Sequence, residues 1–148
     1  MQYTPARSAM LAKLVTVISA AVITLAALAP VTPVRAQSNR AGIVTEPFTV
    51  EPGHYRYYPF TVGDRATVAG RFRAQGGSGN DVEVYILDED GFENYRNGHR
   101  VQTYYNSGRV TVGTINVALG SGSYYLVFNN SFSTVSNKAV NMCVELQY

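Results

Sequence analysis

Cysteine is nearly absent from this sequence of 148 residues. The single cysteine, Cys143, cannot form an internal disulfide. Small exported domains often depend on disulfides for stability, so this chain needs a self-sufficient hydrophobic core instead. The sequence also lacks the Cys and His spacings that bind zinc, the glycine-rich loops that bind phosphates or dinucleotides, and the G-x-S-x-G turn of many hydrolases. None of these motif-defined classes is therefore indicated.

Acidic residues are missing from the first 36 positions, which contain three basic ones. The segment Leu14–Ala29 is an uninterrupted run of apolar and small residues, and Val34-Arg35-Ala36 follows with small residues at the positions that a signal peptidase reads. This order is typical of a secretory signal peptide. The run is short for a membrane-spanning helix, which needs about 20 residues. We therefore expect a cleavable signal peptide over 1–36 and a secreted or periplasmic protein; an uncleaved anchor is the alternative.

A surplus of positive charge is also lacking once the leader is set aside. The chain has 12 Lys and Arg against 10 Asp and Glu, and three of the basic residues lie in the leader. Nine basic residues then face ten acidic ones in the remaining 112 residues. Binding to nucleic acid relies on an excess of Lys and Arg, so we expect no nucleic-acid partner. A chain of this length suits one domain, and no membrane span is expected after the leader.

Helical periodicity is scarce in the rest of the chain. Apolar and polar residues alternate, and Gly, Asn, Asp or Pro interrupt them at short intervals, as in antiparallel sheets. Residues 37–41 are polar and predict a disordered linker, so the domain is expected over 42–148. The predicted fold is all-β, an antiparallel jelly-roll-like β-sandwich of about eight strands. The predicted strands are Ile43–Val50, His54–Val62, Ala66–Ala74, Asp81–Asp88, Arg109–Leu119, Ser123–Asn129 and Lys138–Tyr148.

Three segments of this pattern carry further predictions. The apolar residues of Arg109–Leu119 change parity part-way, so one face cannot bury them all and a bulge is expected near Gly113. Ser123–Asn129 has apolar residues at both parities, which predicts a strand covered on both faces. One helical turn is expected around Phe92–Tyr95.

Residues for catalysis are few. The domain has two histidines, His54 and His99, each in a polar, turn-like segment, and Cys143 has the parity of its polar strand neighbours. Nucleophilic catalysis needs a nucleophile, a base and an orienting group brought together. Two surface histidines and an inert thiol are the simpler interpretation, so we expect no enzymatic activity and no cofactor. A small hydrolase is the least favoured alternative.

Tyrosine, by contrast, is abundant, and several tyrosines are adjacent in sequence. Each adjacent pair on a strand offers one ring to the core and one outward. Outward tyrosines anchor protein partners or stack on sugars, so the candidate binding residues are Tyr57, Tyr104 and Tyr105. Cross-strand pairing that stabilises the sheet surface is the alternative.

The densest acidic segment is Asp88-Glu89-Asp90-Gly91. Carboxylates at alternate positions before a glycine suit Ca²⁺, which prefers oxygen ligands. Asp88 and Asp90 are therefore candidate calcium ligands. The EF-hand pattern does not continue beyond them, and the same residues also favour a plain turn.

The last third of the chain reads Gly122-Ser123-Tyr124-Tyr125-Leu126-Val127-Phe128-Asn129-Asn130, then Phe132-Ser133, then Lys138 and a closing strand. This pattern resembles the C-terminal half of the GOLD (Golgi dynamics) domain. The resemblance implies a jelly-roll-like sandwich that makes protein–protein contacts and has no catalytic residues. The residues that would specify the fold are Tyr124, Phe128, Asn129, Asn130, Phe132 and Lys138.

A second resemblance is carried by Tyr58-Pro59-Phe60-Thr61-Val62, by Gly79–Tyr85 and by Gly122–Tyr125. These segments are similar to strands of the bacterial pre-peptidase C-terminal (PPC) domain, which implies a small secreted β-sandwich. The leader, the missing catalytic set and the GOLD-like ending together predict an exported, non-catalytic module that binds a protein or a cell-envelope component. The alternative is a carbohydrate-binding module that uses the outward tyrosines, with calcium near Asp88 and Asp90.

Overall fold

The computed structural model of the protein describes residues 39–77 and 79–148, which belong to one compact unit, Ala36–Tyr148. The leader predicted over 1–36 lies outside the described residues. The described residues form nine strands and one helix. Their bounds are β1 (Arg40–Val44), β2 (Phe48–Val50), β3 (Tyr55–Val62), β4 (Ala66–Gln75), β5 (Val82–Asp88), α1 (Glu89–Arg96), β6 (Tyr105–Val110), β7 (Val112–Leu119), β8 (Gly122–Asn129) and β9 (Lys138–Gln147).

The strands form two antiparallel sheets that pack face to face, which confirms the predicted all-β sandwich. The five-stranded sheet has the order β1-β9-β4-β7, and β2 also pairs with β9. The four-stranded sheet has the order β3-β8-β5-β6. Apart from the step from β5 to β6, the chain from β2 onward passes from one sheet to the other with each strand, which is a jelly-roll arrangement.

Two strands are added to the seven predicted ones, because the first, Ile43–Val50, is divided and Arg109–Leu119 is replaced by β6 and β7. The two parts of the first strand, β1 and β2, pair with the same partner, β9. The gap between them contains Pro47, which has no N–H to donate to the ladder. The predicted count of about eight strands therefore corresponds to eight strand positions, one of which is interrupted.

The chain joins the sheet earlier than expected. Arg40 and Ala41 pair with the end of β9, so they belong to β1 and not to the disordered linker predicted over 37–41. An ion pair also joins the first residue of β1 to β9, because the Arg40 guanidinium lies 2.9 Å from the Glu145 carboxylate.

The bulge expected near Gly113 is not present, because the chain changes sheet instead. β6 pairs with β5 in one sheet, and β7 pairs with β4 in the other. The chain crosses at Thr111, whose carbonyl oxygen accepts a hydrogen bond from the Ala74 N–H at 2.8 Å. Val110 packs against the core from β6, whereas Val112 lies on the outer face of β7 and is 52% exposed, so the apolar residues around the crossing do not share one face. Gly113 lies in regular register opposite Phe72, and a Cβ there would overlap the Phe72 ring. Glycine at this position leaves room for a core aromatic side chain.

Phe128 of β8 lies at the centre of the core between the sheets. Its ring is fully buried, with centroid distances of 5.0 Å to Phe48, 6.2 Å to Tyr58 and 6.2 Å to Phe72. The prediction that this strand is covered on both faces is confirmed, since Leu126, Val127 and Phe128 are all fully buried. Leu126 and Phe128 belong to the core between the sheets, whereas Val127 belongs to a second cluster on the outer face.

The side chain of Asn130 fixes the end of β8. It is fully buried, and its Nδ2 lies within hydrogen-bond distance of three backbone carbonyl oxygens. These belong to Val50 at 3.2 Å, Glu51 at 3.1 Å and Ser136 at 2.9 Å. The amide therefore joins the end of β8 to the β2–β3 turn and to the segment before β9.

The hydrogen bonds of Asn129 are less buried than those of Asn130. The Asn129 Oδ1 accepts a hydrogen bond from the Ser131 N–H at 2.9 Å, which closes a local turn. Its Nδ2 donates to the Glu83 carboxylate at 3.2 Å. Both groups are only partly buried at the contact, so Asn129 has fewer buried backbone groups to satisfy than Asn130 has.

Lys138 and Phe132 tie loops to the sandwich. Lys138 is only 2% exposed; its Nζ donates to the Gly76 carbonyl oxygen at 3.0 Å and lies 3.8 Å from the Asp81 carboxylate. The loop between β4 and β5 is thereby attached to the start of β9. Phe132 is half-buried, and the Arg109 guanidinium of β6 lies 4.2 Å from its ring centroid.

We expect Asn130→Ala to lower the free energy of unfolding by about 2 kcal/mol, because buried carbonyl groups lose their donor. Asn129→Ala should cost about 1 kcal/mol, since its partners are less buried. Asn130→Asp is a control of matched size that turns an oxygen toward the three carbonyls, so it should destabilise at least as much as the alanine variant. Urea denaturation measures all three, and a wild-type value for Asn130→Asp would contradict the role given to the Asn130 amide.

Candidate functional site

Helix α1 lies on the outer face of the four-stranded sheet. It has eight residues, two turns where the sequence predicted one around Phe92–Tyr95. Asp88 begins it as the N-cap, because its Oδ1 accepts a hydrogen bond from the Gly91 N–H at 2.8 Å. Acidic residues in the first turn and Arg96 in the last suit the helix dipole.

Phe92 fastens α1 to the sheet. Its ring is 5% exposed and stacks on Tyr125 of β8, with centroids 4.0 Å apart and planes inclined by 10°. Leu87 and Val127, both fully buried, complete the cluster beneath the helix. Further tyrosines surround this stack, and we call the six rings the aromatic cluster: Tyr55, Tyr57, Tyr85, Phe92, Tyr95 and Tyr125.

Tyr57 is the most exposed ring of the aromatic cluster, at 47%. Its centroid lies 4.7 Å from that of Phe92 and 6.0 Å from that of Tyr125, so neighbours support the ring on one side while the other meets solvent. It lines a cleft of about 610 Å³ beside α1, which we call the Tyr57 cleft. The remaining lining residues are Pro59, Glu89, Asp90, Phe92, Glu93, Arg96 and Tyr125.

The rim of the Tyr57 cleft is acidic. Three exposed carboxylates, those of Glu89, Asp90 and Glu93, line the α1 side. Arg96 is the one basic residue of the lining, and it lies 3.7 Å from the Glu93 carboxylate and 6.0 Å from the Phe92 ring centroid. The cleft therefore combines an aromatic surface with an excess of negative charge.

A second cleft, of about 550 Å³, contains Tyr104 and shares Asp90 with the first. Tyr104 is 48% exposed, and its ring lies edge-on to Tyr124 with centroids 5.3 Å apart. Its hydroxyl donates to Asp88 Oδ2 at 3.2 Å, and this hydrogen bond raises the pKa of the Tyr104 phenol above its ordinary value. Tyr104 thus matches Tyr57 in exposure but lies outside the aromatic cluster.

Tyr105, the third predicted binding residue, turns inward. Its hydroxyl donates to the Thr114 carbonyl oxygen at 3.0 Å, and its ring packs against the core between the sheets. Burial raises the pKa of the Tyr105 phenol. The Tyr104-Tyr105 pair therefore has one ring outward and one that packs toward the core, as alternation predicts.

One of the two candidate calcium ligands, Asp88, is engaged at the start of the helix. Both oxygens of Asp88 accept hydrogen bonds, from the Gly91 N–H and from the Tyr104 hydroxyl. Asp90 is exposed on α1 between the two clefts. In the part of the chain that the structure describes, no three His, Cys, Asp or Glu side chains cluster as metal ligands do. The contacts of Asp88 are explained by helix capping and by Tyr104.

The structure does not bring the candidate nucleophile and bases together. Cys143 is exposed on the outer face of the five-stranded sheet, opposite Arg71 in register, in a shallow depression of about 690 Å³. His99 follows α1 on the other side of the sandwich. His54 lies in the β2–β3 turn, where its Nδ1 is 2.9 Å from the Pro52 carbonyl oxygen. The two histidines thus lie on different elements of the fold from the Cys143 thiol.

No known family model matches the sequence, and no curated protein matches it either. Within residues 39–77 and 79–148, no helix is long and apolar enough to cross a membrane.

Sequence reasoning identified Tyr57 but not the rings that support it. Phe92 and Tyr95 lie three residues apart, which places both rings on one face of a helix. This spacing was the feature of the sequence that could have predicted a helix packed on the sheet. Their contacts with Tyr55 and Tyr125 depend on where α1 lies on the sheet. Alternation within strands does not report that position.

Alkaline pH should destabilise the fold through Tyr85 and Tyr95. Burial is the main cause that raises the pKa of both phenols above the ordinary value, and Glu83 adds to the effect for each. In the unfolded chain they ionise at about pH 10. Their contribution to stability is therefore complete below that pH and is lost as the pH rises above it.

We expect the free energy of unfolding, measured with urea at a series of pH values, to fall above about pH 10. The fall should be shallower in the Tyr85→Phe and Tyr95→Phe variants, which have no phenol to ionise. An unchanged slope in the double variant would show that these two phenols do not cause the loss.

Proposed function

We propose that this protein is an exported, non-catalytic module that binds a protein partner of the cell envelope or its surroundings through the Tyr57 cleft. The observation that carries the proposal is the exposed Tyr57 ring, supported by Phe92 and Tyr125 and bordered by carboxylates. The leader-like sequence over 1–36 supports export. The separation of Cys143 from the histidines and the resemblance to the GOLD domain support a non-catalytic role.

A supported tyrosine is well suited to bind a protein. Tyrosine is enriched among the residues that contribute most to interface affinity, because its ring has a large apolar area and its hydroxyl stays polar. Tyr57 lies beside three other rings of the aromatic cluster, those of Tyr55, Phe92 and Tyr125. Its side chain is therefore already ordered, and binding costs less conformational entropy than ordering a mobile side chain would.

The acidic rim indicates the chemistry of the partner. The cleft is lined by three carboxylates, those of Glu89, Asp90 and Glu93, and by one basic side chain, Arg96. This excess of negative charge attracts Lys or Arg side chains of a partner. A cation held over the Tyr57 ring would gain cation–π attraction as well. Because the carboxylates are exposed, salt screens this attraction, and binding to a basic partner should weaken as ionic strength rises.

Carbohydrate binding is the second candidate function. The observation that favours it is the juxtaposition of the Tyr57 and Tyr125 rings with carboxylates, since aromatic faces stack on sugar rings. Carboxylates also accept hydrogen bonds from sugar hydroxyls. Stacking and neutral hydrogen bonds are weakly screened by salt, so a glycan that binds at low and high ionic strength alike would favour this candidate.

Tyr57→Ala should abolish partner binding, while Tyr104→Ala should leave it unchanged. The two substitutions are matched, because they remove the same side chain from sites of nearly equal exposure. The measurement is affinity capture from the envelope of the producing organism, with the wild type and both variants as bait. A protein retained by wild type and Tyr104→Ala but lost by Tyr57→Ala, and released by salt, is the expected result.

A captured partner that Tyr57→Ala retains would refute the Tyr57 cleft as the binding site. A glycan array read with the same three proteins separates the two candidate functions. Salt-independent binding to one class of glycan, lost in Tyr57→Ala, would replace the protein partner with a carbohydrate.

A further inference from the structure

Among the residues that the structure describes, each sheet ends in two edge positions, and three of these four carry features that discourage pairing with another strand. Natural proteins protect edges with proline, charge, short strands and irregular register. The β1–β2 edge is interrupted at Pro47. The β3 edge contains Pro59, which donates no hydrogen bond. The β6 edge has a shift in its register with β5 and a left-handed Gly108 at φ 62°.

The fourth edge, β7, has none of these features. Its eight residues, VGTINVAL, include no charged residue and no proline. Its register with β4 is regular from end to end. Strand β7 is thus a long, regularly paired, uncharged edge, the type that pairs readily with another strand.

The backbone groups of β7 that face outward can be assigned from two hydrogen bonds. The Thr111 carbonyl oxygen bonds to Ala74 of β4, so residues of odd number direct their backbone groups toward β4. The Thr114 carbonyl oxygen accepts instead from the Tyr105 hydroxyl of β6. By the same alternation, Thr114, Asn116 and Ala118 direct their N–H and C=O groups to the open edge, and the Thr114 carbonyl oxygen has a second lone pair beside the one that Tyr105 occupies.

We propose that β7 pairs antiparallel with β7 of a second copy of this chain, joining the two five-stranded sheets into one. The strand itself has the alternation that an added strand needs, with Ile115 and Val117 on the core side and Thr114 and Asn116 on the outer side. Because β7 carries no charge, the pairing places no like charges opposite each other across the two strands. A two-fold axis at residue 116 pairs Asn116 with Asn116 and Thr114 with Ala118 of the second copy, and it places like faces together, as in an isologous dimer.

This dimer does not depend on the proposed binding function. The Tyr57 cleft lies on the four-stranded sheet, whereas β7 is the edge of the five-stranded sheet. Pairing through β7 therefore leaves both Tyr57 clefts open, so the dimer would present two sites to one surface or partner. A Tyr57→Ala variant should dimerise as the wild type does, which separates the two proposals.

Sedimentation of the purified protein over a range of concentrations tests the dimer, with reductant present so that the exposed Cys143 does not cross-link. Wild type should show a concentration-dependent dimer.

Asn116→Lys and Asn116→Asp each place like charges close across the two-fold axis, so each should raise the dimer dissociation constant about fivefold. An equimolar mixture of the two should recover a mixed dimer at least as tight as wild type. Asn141→Lys, on the same outer sheet face but in the interior strand β9, is the matched control and should dimerise normally.

Wild type that stays monomeric at every concentration would overturn the proposal. A dimer that Asn116→Lys weakens no more than Asn141→Lys would show that the contact lies elsewhere. Failure of the mixed Asn116→Lys and Asn116→Asp variants to recover the dimer would exclude antiparallel β7 pairing. Thermal melting of each variant confirms that it is folded, which is expected because Asn116 is exposed.

Discussion

Three consecutive residues of β8, Leu126, Val127 and Phe128, are fully buried. Neighbouring residues of a strand point to opposite faces, so burying all three requires a layer on each side of the sheet. The five-stranded sheet supplies the inner layer, where Phe128 contacts the rings of both sheets. Helix α1 supplies the outer layer through Phe92. The fold is therefore a two-sheet sandwich with a third, partial layer on one outer face.

The partial layer explains the surface we assign to binding. A helix of eight residues is too short to cover the outer face of the four-stranded sheet, so a cleft remains on each side of its first turn. Tyr57 lies at the boundary, where one side of its ring contacts Phe92 and the other is open. The acidic residues that favour the helix N-terminus, Glu89 and Asp90, are the same ones that make the rim negative. The same two carboxylates thus stabilise the helix and give the cleft its negative charge.

How much the sequence predicts depends on the range of the interaction. Alternation predicted most strands and the double coverage of Ser123–Asn129, because the side-chain period of a strand is local. It did not predict that the chain changes sheet at Thr111. A change in the parity of the apolar residues looks the same in the sequence whether a strand has a bulge or the chain crosses to the other sheet. Alternation did not decide between Tyr104 and Tyr105, which lie outside the predicted strands. The outward direction of Tyr57 did follow from it. The Phe92–Tyr125 stack did not, because it joins a helix to a strand distant in sequence.

We infer that α1 is a separable layer, held on β8 by Phe92, that shapes the Tyr57 cleft. Hydrogen–deuterium exchange of the Phe92→Ala variant tests this most directly. We predict that the amides of α1 lose protection, while those of β4 and β9 in the five-stranded sheet keep wild-type protection. Unchanged protection of α1, or a uniform loss across both sheets, would contradict the claim.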